Sequence, residues 1–97
     1  MYQLIIRPHA VEMAENAYQW YEEQQTGLGD LFMSELDSCY DKIEVWPISY
    51  NIIRKDFRQI VLKRFPFVIV YKIVQERVVV YSVFHTSRNP RKKFRKR

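Results

Sequence analysis

The chain has 97 residues, 47% of them hydrophobic and 15% aromatic, which is enough to bury one small core and too little for a second. Its formal charge of +5 at pH 7 favours an acidic partner such as nucleic acid, the ribosome or an acidic protein segment. Cys39 is the only cysteine, which excludes an intramolecular disulfide, and no apolar run is long enough to span a bilayer.

The opening Tyr2-Gln3-Leu4-Ile5-Ile6 has no basic n-region and no small-residue cleavage site, so a signal peptide is not expected. The reading is a cytoplasmic protein with one domain over residues 1–97, its tail from 88 to 97 dense in positive charge.

Tyr2 to Arg7 reads as a short strand. Pro8 suits a first helical turn, where its missing N–H costs nothing. Ala10, Val11, Ala14, Ala17, Tyr18 and Tyr21 then recur at helical spacing, with Glu12, Glu15, Glu22 and Glu23 on the other side. Gly27 and Gly29 break this helix at a tight corner that needs a left-handed residue. A second helix is predicted from Asp30 to Val45, with Leu31, Phe32, Glu35, Leu36, Cys39, Tyr40 and Ile43 as its mostly apolar stripe. Within that stripe Cys39 reads as a small buried hydrophobe. Trp46-Pro47 ends the helix.

Strand patterns follow over Phe57 to Lys63, Phe67 to Val74 and Val78 to His85, rich in Val, Ile, Phe and Tyr. Their connections are too short for parallel crossovers, so they pair antiparallel. Ile52 and Ile53 either extend the first of them or form an edge strand. The fold class is therefore α+β: an N-terminal strand at a sheet edge, an antiparallel two-helix hairpin, then a meander of three strands, or four with that edge strand. The helices are expected to cover one sheet face and leave a concave, basic face free.

No zinc spacing, glycine-rich phosphate loop or nucleophile-elbow serine occurs, and no cofactor is implied. The cations remain. Strict alternation puts Arg58 and Arg64 on one strand face and Lys63 on the other. It also puts His85 on the same face as Val83 and Tyr81. RNA cleavage through the neighbouring 2′-hydroxyl needs a base, an acid and a cation for the developing charge. His85, Tyr81 or Tyr71, and Arg88 or Arg64 could fill those roles. Arg58, Lys63, Arg91, Lys92, Lys93 and Arg95 are the candidates for gripping nucleic acid. The competing reading is a solvated basic tail behind a structural histidine.

The order of these motifs resembles the RelE/ParE superfamily of bacterial toxins from type II toxin–antitoxin systems. The resemblance rests on Trp20-Tyr21-Glu22, on Gly27-Leu28-Gly29 with Phe32, and on Trp46-Pro47. It continues through Arg64-Phe65-Pro66-Phe67-Val68-Ile69-Val70-Tyr71, Val78-Val79-Val80 and His85-Thr86-Ser87-Arg88-Asn89-Pro90. It implies a toxin that slows growth until a cognate antitoxin wraps it. The target it implies is either mRNA on the ribosome, which is cut, or DNA gyrase, which is poisoned. In the ribosomal branch basic residues precede the central turn, one arginine follows it and another follows the last strand. Arg88 matches the last of these, whereas Val68 takes the place of the post-turn arginine, and Gln59 and Val61 those of the strand lysines. The Phe-Pro-Phe turn and the His-x-x-Arg-x-Pro ending look more like ParE-type members. The expectation is a toxin acting by ribosome-dependent mRNA cleavage, with gyrase inhibition the alternative and a non-catalytic RNA-binding module a further one.

Overall fold

The computed structural model describes residues 2–87. They form β1 (Gln3–Ile6), α1 (Pro8–Gln24), α2 (Leu28–Val45), a single 3-10 turn (Pro47–Ser49), β2 (Ile52–Arg54), β3 (Phe57–Val61), β4 (Phe67–Val74) and β5 (Arg77–His85). The strands make one sheet in the order β1-β5-β4-β3-β2. β2 to β5 form an antiparallel meander, and Ile52 and Ile53 belong to an edge strand of their own. β1 takes the opposite edge, parallel to β5 from Gln3↔Arg77 to Ile6↔Val80. Parallel pairing is possible there because the whole helical hairpin and meander lie between the two strands.

Both helices start where the backbone can be satisfied. Pro8 stands in the first turn of α1. Gly27, at φ 91°, precedes α2 in the left-handed region that a side chain would disfavour. The Glu22 carboxylate reaches from α1 and accepts the N–H groups of Gly27 and Gly29, both at 2.9 Å. These are donors that a helix start leaves without partners, and the negative charge suits the helix dipole. α2 therefore begins at Leu28 rather than Asp30.

Ala10, Ala14 and Ala17 are buried on α1, and their small side chains let the backbone lie close to its neighbours. Tyr21, Phe32, Phe65 and Phe67 pack edge-on or tilted, with centroid separations of 4.9 to 6.1 Å. Leu36 and Ile43 of α2 continue this core over Ile69, Tyr71, Val78, Val80 and Val83.

Two expectations are corrected. In β5 the pairing passes from Tyr71↔Val80 to Val70↔Ser82, so Tyr81 is an extra residue in a bulge. Val78 and Val80 face the helices before it, and Val83 does so after it. Tyr81 thus leaves the face that strict alternation gives it with Val83 and His85. The face opposite the helices is also not a free basic groove. Val68 and Phe84, each 3% exposed, and Val70 at 0% form a second apolar cluster there with Ile53, Phe57 and Met13.

Candidate functional site

His85 lies opposite Phe67 in the sheet. Its ring meets the Phe67 ring edge-on, centroids 5.1 Å apart, at the margin of the helix-side core. Nδ1 accepts the Ser87 N–H at 3.1 Å. The Thr86 N–H donates to the Pro66 carbonyl at 2.8 Å, fixing the end of β5 to the β3–β4 turn.

Tyr81 sits on the other face. Its ring contacts Phe57 edge-on at 5.2 Å, with the Arg7 guanidinium 5.0 Å from its centroid. Lys72 Nζ lies 5.9 Å from the same ring, 5.2 Å from that of Phe57 and 3.9 Å from the Asp56 carboxylate. Tyr71, the alternative acid, is fully buried and donates its hydroxyl to the Pro47 carbonyl at 2.6 Å. Burial pushes its phenol up to about 12, although Arg58 nearby favours the charged form. His85, Tyr81 and Tyr71 are therefore not brought together.

The guanidinium of Arg58 donates to the carbonyls of Ile48 and Tyr50, at 3.1 and 2.7 Å. It holds the 3-10 segment against the sheet from the helix side, beside Tyr71. Lys63 and Arg64 fall beyond β3 in a bend, so the face alternation read for Arg64 does not apply. Their backbone N–H groups both donate to the Glu35 carboxylate: Lys63 at 2.6 Å, Arg64 at 3.1 and 3.2 Å to the two oxygens. An anion from α2 thereby clamps the bend and leaves the two cationic side chains exposed. Arg88, Arg91, Lys92, Lys93 and Arg95 lie outside the described residues.

One gathering of charge was not foreseen. Lys42 on α2 joins Lys63 and Arg64 around a cleft of about 660 Å³ between α2 and the edge of β3. Cys39 is at its wall; burial pushes the thiol up, while Lys42 and Lys63 pull it the other way. The sequence signal for this cleft is Glu35, a carboxylate inside an otherwise apolar helical stripe.

The family described as "ParE toxin of type II toxin-antitoxin system, parDE" matches residues 4–90. No curated protein matches. A solved structure titled "Chromosomal ParDE TA system from P. aeruginosa" is similar in fold, with a TM-score of 0.77 at 11% identity, over 90% of this chain and 98% of that one. The family match runs over both helices and all of the sheet but Gln3, and the chain belongs to the ParE toxin family of type II toxin–antitoxin systems.

Proposed function

We propose that this toxin arrests growth by binding DNA gyrase, not by cutting RNA, and that a cognate antitoxin holds it inactive. The observation that carries this reading is the separation of the proton-transfer candidates. His85 packs on Phe67 at the helix side, whereas Tyr81 packs on Phe57 across the sheet. A general base and acid must both come within hydrogen-bond reach of one reacting group. The buried Val68, in the position of the post-turn arginine, supports the same reading. So does membership of the ParE family rather than a ribosomal one. Binding a protein target needs a stable surface and no such convergence.

The test is induction in a bacterial host, with plasmid supercoiling and mRNA ends read in the same cells. Lost supercoiling with intact messages supports gyrase. Scattered new message ends with normal supercoiling would restore ribosome-dependent cleavage, the leading expectation from the sequence. Growth that continues unchanged would favour the plain RNA-binding module.

A further inference from the structure

The cleft between α2 and β3 has a wall of unusual composition: a strand edge. The Leu62 N–H donates across to β4, to the Phe67 carbonyl at 3.0 Å. The Gln59 N–H donates the other way, to the Asn51 carbonyl at 3.1 Å. Alternation therefore aims the N–H and C=O of Val61, like those of Gln59, away from β4. β2 does not reach that far. Its pairing ends at Ile52↔Arg58, and the Asn51 carbonyl is the last group it offers. Among the described residues nothing pairs with Val61 on that side, and the residue is 55% exposed.

Around this open position stand three cations. Lys63 and Arg64 follow it after the buried Leu62, and Lys42 faces it from the last turn of α2. Among the described residues Glu35 is the one carboxylate lining the cleft, and its oxygens are turned onto the backbone of the bend. The site thus combines a backbone donor and acceptor, the exposed apolar side chain of Val61, and a positive rim.

We infer that this cleft seats an extended acidic segment of the antitoxin, which adds to the sheet beside Val61 and sets its carboxylates against Lys42, Lys63 and Arg64. Strand addition of this kind takes affinity from main-chain hydrogen bonds and specificity from alternate side chains. One set of alternate residues would cover Val61, and the rim would select negative charge. A second copy of the chain fits poorly, because edge-to-edge pairing would press the cations of both copies together. A nucleic-acid backbone carries the charge but offers no N–H to meet the Val61 carbonyl. The identity of the occupant rests on the antitoxin reading above; the geometry of the cleft does not.

The experiment uses the full chain and two variants. Val61→Pro removes the outward N–H and is tolerated at a sheet edge. Lys42→Gln, Lys63→Gln and Arg64→Gln together remove the rim charge while keeping the backbone bonds to Glu35. Unchanged melting temperatures confirm that both fold. The probe is a synthetic peptide of alternating valine and glutamate, with an N-methylated version that cannot pair as a strand. The expected result is binding that slows exchange of the Val61 amide, weakens with salt, and falls at least about tenfold in each variant and with the methylated peptide. Equal affinity for wild type and the folded Val61→Pro protein would overturn strand addition. So would an absence of binding, or exchange protection elsewhere. Purified antitoxin is then titrated against the same proteins. Loss of affinity in both variants supports it as the occupant. Undiminished affinity would show that it docks elsewhere, with the toxin reading intact. A wild-type chain that binds the peptide but not the antitoxin would overturn the antitoxin as occupant.

Discussion

Tyr71→Phe isolates one buried hydrogen bond. The phenol is fully buried and donates to the Pro47 carbonyl at 2.6 Å, and Pro47 is itself fully buried. Removing the hydroxyl leaves that carbonyl without its donor, for which the expected cost lies at roughly 1–3 kcal/mol. Arg58 still pins the same segment through Ile48 and Tyr50, so a loss in the lower half of that range, about 1.5 kcal/mol, is expected. For a domain of this size that lowers the melting temperature by roughly 6–12 °C. The pH dependence gives a second, independent handle. The phenol titrates near its ordinary 10.0 when unfolded and at about 12 when folded. A raised folded value means the contribution is complete below the unfolded value and fades as pH rises through the folded one. Wild type should therefore lose stability between about pH 10 and pH 12 in a way the phenylalanine variant does not. Burial also raises Tyr40, but that phenol is present in both proteins and cancels in the difference. Urea melts at neutral pH and near the top of that window measure the gap. A gap that is absent at neutral pH, or that stays constant across the window, would refute the assignment.

The other predictions are local. Gly29→Ala should destabilise more than Gly27→Ala. A methyl at Gly29 would come within 2.7 Å of the Tyr18 carbonyl, whereas Gly27 has open space and only its left-handed φ to lose; thermal melts should show about 2–3 against about 1 kcal/mol. Glu35→Ala should release the Lys63–Arg64 bend, seen as faster amide exchange at both residues and a loss of about 1 kcal/mol. His85→Phe should keep the edge contact with Phe67 and leave growth arrest intact if the toxin acts by binding. Abolished arrest in the folded variant would return weight to RNA chemistry.

Element order was legible because each element announces itself locally. Ala10, Ala14, Ala17 and Tyr21 repeat at helical spacing, two glycines sit at the one corner, and the strand runs are separated by turns too short to cross over. The edge position of β1 was also readable, but its parallel partner was not, since pairing with β5 joins opposite ends of the chain. The candidate site was harder. A bulge has no signature in a run such as Val78-Val79-Val80-Tyr81-Ser82-Val83, so the faces of Tyr81 and His85 came out together when they are apart. Arg58 looked like a free cation because the carbonyls it serves, at Ile48 and Tyr50, lie in a loop with no pattern of its own. The cleft escaped notice because Lys42 and Lys63 are distant in sequence and meet only when α2 packs beside β3.

The place of β5 in the sheet has a consequence for how the chain comes into being. It lies between β1 and β4, so among the described strands the earliest to be synthesised waits for the latest before its one pairing edge can close. Contacts between such distant parts slow folding and keep intermediates exposed. A chain stopped before Arg77 would leave β1 without a strand partner, β4 with one open edge, and the helix-side core without Val78, Val80 and Val83. The sheet of the described residues therefore closes only once β5 has been made, and until then β1 and the β4 edge stay open to other chains.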